Sequence, residues 1–122
     1  MGDPRRLARQ GEAWAARYLQ ARGYAILGRN VRTPYGEIDI VARDGDQVVF
    51  VEVKTRSTRG FGWPEDAVTA RKLAHMHAAA EHYLAEHDPE ARWPWRLDVL
   101  ALYWPDPAAP PQVRHWTDVR PE

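Results

Sequence analysis

Gly36 to Arg56 reads GEIDIVARDGDQVVFVEVKTR, two strand-like runs around a turn. Two runs rich in β-branched residues, about Glu37 to Arg43 and Gln47 to Thr55, flank the turn residues Asp44, Gly45 and Asp46, a pattern that predicts a β-hairpin. Asp39, Glu52 and Lys54 interrupt segments whose composition is otherwise that of buried strands. A charge removed from water is costly unless it is paired or used, so these three residues are the first candidates for a functional site.

Side chains alternate along a strand. Glu52 and Lys54 therefore share a face with Val48 and Phe50, and Glu37, Asp39 and Val41 share a face on the preceding run. The apolar set Ile38, Ile40, Val49, Val51 and Val53 reads as the main core side. Two registers are open. A four-residue loop, Asp44 to Gln47, sets Arg43 against Val48 and Asp39 against Glu52; a two-residue turn at Asp44 and Gly45 sets Arg43 against Asp46 and Glu37 against Glu52. Both bring Asp39, Glu52 and Lys54 onto one face, whereas an unbulged three-residue loop separates them.

Upstream, Leu7, Gly11, Trp14, Tyr18 and Arg22 recur at helical spacing from about Asp3 to Ala21, with Asp3 as N-cap, Pro4 in the first turn and Gly23 as the stop. Glu12 falls beside the edge of that stripe, where it can reach over the rim of whatever the helix covers. Tyr24 to Val31 reads as a first strand weakened by Gly28. Downstream, STRGFGW (57–63) is a basic, glycine-rich loop, and a second helix starts either at Pro64 or after Thr69 and ends near Asp88 and Pro89. Its buried face is Leu73, Met76, Ala80, Tyr83 and Leu84. Trp95 to Trp104 is a fourth strand, and Val113 to Thr117 a short edge strand. The order helix, three-strand meander, helix, strand implies a mixed sheet in which the third strand crosses through the helix to a parallel fourth, with a helix on each face.

The 122 residues suit one domain, 1–122, with a single core. The absence of cysteine excludes disulfides and thiolate metal sites and suits a cytoplasmic location. The first twenty residues lack the apolar run of a signal peptide, and no run approaches membrane-spanning length, so no membrane association is expected. The formal net charge of zero argues against indiscriminate coating of nucleic acid. Even so, Arg5, Arg6, Arg9, Arg17, Arg22, Arg29 and Arg32 precede Glu37 against only Asp3 and Glu12, and Lys54, Arg56, Arg59, Arg71 and Lys72 follow. Either these gather on one side of the molecule or they are scattered surface charges. The five histidines lack an i, i+4 pairing for zinc and read as surface residues.

Two carboxylates on adjacent strands, with facing Cβ atoms roughly 5 Å apart, can share Mg²⁺ or Mn²⁺ with several of its waters. Such an ion makes bound water a nucleophile and neutralises charge growing on a phosphodiester, and a nearby ammonium can orient that water. The plainer alternative is a wet sheet face carrying a cross-strand Asp and Lys pair. VVFVEVK is too apolar for an edge strand, which favours charges at the mouth of a packed sheet.

GEIDIVARDGDQVVFVEVKTR resembles the signature of the YraN-like proteins, bacterial members of the PD-(D/E)xK nuclease superfamily that also includes archaeal Holliday junction resolvases. GEAWAARYL, GYAILGRNVR, RSTRGFGWPEDAVTARK and RLDVLAL extend the likeness along the chain. The resemblance implies an α/β, restriction-endonuclease-like α-β-β-β-α-β core, a mixed central sheet flanked by helices. It further implies that Asp39, Glu52 and the carbonyl of Val53 hold Mg²⁺ or Mn²⁺, that Lys54 is the catalytic lysine, and that Glu12 is the acid contributed by the first helix. Ile38 stands where the motif's name has proline. The expected activity is phosphodiester hydrolysis in DNA, in branched or repair intermediates, with Arg32, Arg56 and Arg59 as phosphate contacts and a homodimer by analogy with resolvases. The rival is a nuclease-fold protein with a vestigial site that binds nucleic acid or a protein partner. A small-molecule phosphohydrolase lacks a recognisable glycine-rich phosphate cradle.

Overall fold

The computed structural model describes residues 3–58 and 62–121. Its elements are α1 (Pro4–Ala21), β1 (Ala25–Thr33), β2 (Gly36–Asp44), β3 (Gln47–Arg56), a 3-10 turn (Pro64–Ala67), α2 (Ala70–His87), β4 (Trp95–Tyr103) and β5 (Gln112–Trp116). They form one five-stranded sheet in the order β1-β2-β3-β4-β5, antiparallel throughout except for the parallel β3–β4 pair. This is the expected α/β order with its mixed sheet and α2 as the crossover.

Helix starts follow the local chemistry. Asp3 caps α1, its carboxylate accepting from Arg5 N at 3.0 Å, and Pro4 opens the first turn. Both proposed starts of the second helix are used: Pro64 begins the 3-10 turn, and Thr69 caps α2 by accepting from Lys72 N at 3.2 Å. In the hairpin, Arg43 faces Val48 and the ladder continues to Asp44 and Gln47, so the connection is Gly45 and Asp46, with Gly45 at φ 64°. The observed register is therefore the first of the two alternatives, closed by a tighter turn.

Both faces of the sheet are packed. On the α1 side Ala15, Ala16 and Leu19 meet Ile40, Ala42, Val49, Val51, Val53, Leu100 and Leu102. On the α2 side Ala79, Ala80 and Leu84 meet Ile38, Val41, Val48, Phe50 and Leu97. Ile38 and Ile40 thus lie on opposite faces, a departure from the period-two expectation that put them together. The cause lies around Asn30 and Asp39. Asn30 has a left-handed φ of 52°, and the β1–β2 partners on either side of it, Arg29 with Ile40 and Val31 with Ile38, face opposite sides. A second irregularity, between Ile26 and Gly28, leaves Leu27 outside the ladder.

The sheet also divides. The β2–β3 ladder ends at Ile40 and Val51, whereas β1–β2 pairing continues to Thr33 and Gly36 and β3–β4 pairing to Arg56 and Tyr103. Beyond Ile40 and Val51 the two halves diverge, and the polar residues of the central hairpin lie at this fork.

Candidate functional site

Asp39 occupies the gap between the diverging strands. Its Oδ2 accepts from Val53 N at 2.8 Å, replacing the backbone partner that β2 no longer supplies. A strand residue presents its N–H and C=O to the same side, so the Val53 carbonyl faces this gap too. Asp39 was expected to stand on the sheet face with Glu52; it reaches along the sheet instead, because the irregularity at Asn30 turns it away from the regular alternation.

Glu52 lies on the α2 face at 4% exposure, beside a crevice of about 10 Å³ lined by Glu37, Ile38, Phe50, Val51 and Met76. That is roughly room for one water. Burial, and after it the negative charge of Asp39, push the Glu52 carboxyl up to about 7. Burial likewise raises Asp39, opposed by its bond from Val53 N and by the charges of Lys72 and Lys54.

Glu12 comes to the gap from the other side. Gly11 makes this possible: a Cβ there would sit 1.9 Å from Thr55 Oγ1, so only glycine lets α1 approach β3 this closely. Burial and then the charges of Asp39 and Glu37 push Glu12 up to about 7, and its proximity to Asp39 adds to the rise. With its amide nitrogen facing the acids, Asn30 donates to Glu12 Oε1 and Glu37 Oε1, at 2.9 Å each.

Two lysines serve the cluster differently. Lys72, in the first turn of α2, places Nζ 3.4 Å from Glu52 Oε1. Lys54 follows Glu52 on the same face, and its charge lowers both Asp39 and Glu52. The sequence pointed to Glu12, Asp39, Glu52 and Lys54, and the fold brings them together. It did not point to Lys72 as a partner of Glu52 or to Asn30. The cue for Lys72 was a lysine three residues after the Thr69 cap, where a helix N-terminus disfavours positive charge; Asn30 was legible only as a residue that tolerates left-handed backbone.

Arg32 is exposed and pairs with Glu37 in the ladder, and Arg56 ends β3, its carbonyl accepting from Trp104 N at 2.8 Å. Arg59 lies outside the described residues. Trp63 packs against Tyr103 and under the Arg114 guanidinium. Asp98 is structural: fully buried, it accepts from Arg96 Nε at 3.0 Å and Asp118 N at 3.0 Å and bonds His115 Nε2 at 2.8 Å. Burial pushes its carboxyl up, but these partners outweigh burial and hold it below the usual range. His115 is thereby a core-network residue rather than a surface histidine.

Among the described residues no group of three or more His, Asp or Glu side chains is arranged to hold a metal ion as it stands. The donor chemistry at the fork nevertheless suits a hard divalent cation: a buried carboxylate, Glu52, and a half-buried one, Asp39, whose mutual repulsion a cation would relieve, and a backbone carbonyl facing the same gap. No described helix is long and apolar enough to cross a membrane.

The fold and site define a mixed-sheet α/β protein with an acid pair, flanked by lysines, where its central strands part. Residues 11–102 match the model of the uncharacterised protein family UPF0102, the YraN family, and the chain belongs to it. A UPF0102 protein of Beutenbergia cavernae is 53% identical over 92 residues, 75% of this chain and 77% of the relative. One from Dehalococcoides mccartyi is 47% identical over 92 residues, 75% of each chain. One from Arthrobacter sp. is 46% identical over 110 residues, 89% of this chain and 91% of the relative.

Proposed function

We propose that this chain is a divalent-metal-dependent nuclease of the restriction-endonuclease-like kind, hydrolysing phosphodiester bonds in DNA. The observation that carries the reading is the pair of half-buried Asp39 and buried Glu52, both raised chiefly by desolvation and set at the fork with Val53. Buried acids with raised values and a specific charged neighbour are a mark of functional sites.

In this reading Asp39, Glu52 and the Val53 carbonyl hold Mg²⁺ or Mn²⁺. Bound there, the ion supplies Lewis acidity toward a phosphate oxygen and lowers the pKa of a coordinated water. The chain's own groups do the rest. Lys54 orients the attacking water and offsets negative charge gathering on the phosphate. Glu12, its carboxyl raised to about 7 chiefly by burial, holds or releases a proton beside Asp39. Arg32, Arg56 and Arg59 are the contacts to the phosphate backbone.

The test is incubation of the purified chain with linear, single-stranded, flap and four-way DNA in Mg²⁺ or Mn²⁺. Metal-dependent cleavage is expected, abolished by Glu52→Gln and slowed by about a hundredfold or more by Lys54→Ala. Cleavage unchanged by both substitutions belongs to a contaminant and overturns the proposal, and binding without cleavage favours the vestigial binding protein.

A further inference from the structure

The contact between Lys72 and Glu52 differs from an ordinary surface ion pair. The Glu52 side chain is 5% exposed and the Lys72 side chain 40%, so a fixed, buried acid is tied to a group free to swing into solvent. Thr69 holds the Lys72 backbone N–H while the ammonium sits at the end of a four-carbon stem, anchored at one end only. The first turn of a helix repels positive charge, so α2 itself gains nothing from a lysine here; the position makes sense through Glu52. The crevice beside Glu52 has room for a single small occupant. Lys54, by contrast, forms no ion pair within the described part of the molecule, so the two lysines do not duplicate one another.

We propose that Lys72 is a displaceable counter-cation. It neutralises Glu52 in the resting protein, competes with a divalent cation for Oε1, and leaves toward solvent when that cation binds. Lys72 thus sets how readily the centre loads, and is a positioning residue distinct from Lys54. The inference rests on the metal-centre reading above.

Calorimetric titration of Mn²⁺ alone into the full chain tests it, on wild type, Lys72→Met, Lys72→Arg and Glu52→Gln. Removing a charge-assisted bond that the ion must break is expected to tighten Mn²⁺ binding by about tenfold in Lys72→Met, while Lys72→Arg stays near wild type. Thermal melts supply a second readout. Lys72→Met is expected to melt below wild type without Mn²⁺ and to close that gap at saturating Mn²⁺, which a merely structural lysine would not do. If Lys72→Met folds poorly, Lys72→Gln takes its place in both measurements. Binding in these variants equal to or weaker than wild type overturns the counter-cation while leaving the metal centre standing. Mn²⁺ binding that Glu52→Gln does not weaken, or none in wild type and Lys72 variants alike, overturns the centre itself and this inference with it.

Discussion

Glu52 and Glu12 are carboxyls raised to about 7 from 4.5, chiefly by burial and then by the charge of Asp39. Each binds its proton more tightly in the folded chain than in the unfolded one. Their contribution to stability is therefore fully present below about 4.5 and is lost as pH rises through about 7. The metal-free protein is expected to melt at a higher temperature in mildly acidic than in mildly alkaline buffer, and Glu52→Gln to reduce that difference; scanning calorimetry across this range checks both. Lys54 has a different role. Lys54→Ala is expected to slow cleavage by about a hundredfold or more while leaving Mn²⁺ binding in place, which single-turnover assays beside calorimetry separate. The acids and Lys54 were legible in the sequence because charge inside an apolar strand is conspicuous. Lys72 was not, because a lysine on an amphipathic helix is ordinary until the strand it faces is known.

At the scale of elements, the site depends on how closely α1 lies on β3. Gly11 meets Thr55 directly, and Thr55 Oγ1 is buried without a hydrogen-bond partner. Gly11→Ala is expected to destabilise the chain by about 1–3 kcal/mol through overpacking and to move Glu12 away from Asp39. Gly11→Ala with Thr55→Ala, which removes the hydroxyl that the new methyl strikes, recovers part of that loss; urea unfolding of the four proteins in the cycle measures the coupling. The hairpin was legible down to a choice between two registers, of which the structure takes the one that pairs Arg43 with Val48. The break in alternation was not. It arises where Asn30 turns left-handed and Asp39 substitutes for a missing backbone partner of Val53, and a period-two pattern carries no trace of either.

Over the whole molecule, the sheet is tied at one end and open at the other. Toward the hairpin, Arg96 joins Asp98, Asp44, Gln47 and Tyr24, and Asp98 joins His115 and the chain after β5. Asp98→Ala strands the half-buried Arg96 and His115 and is expected to cost about 3 kcal/mol or more, read as a lower urea midpoint with unchanged slope. Tying that end lets the other stay divided without loosening the fold, and the fork is where the acids gather. The alternation of helix and strand made the architecture legible; the division did not show, because it depends on where pairing stops rather than on which residues pair. The most direct test of the account is anomalous diffraction from crystals soaked in Mn²⁺. A single strong peak bounded by Asp39, Glu52 and the Val53 carbonyl is expected, with the Lys72 ammonium withdrawn from Glu52. A peak elsewhere, or none at Mn²⁺ concentrations that saturate binding in solution, would contradict it.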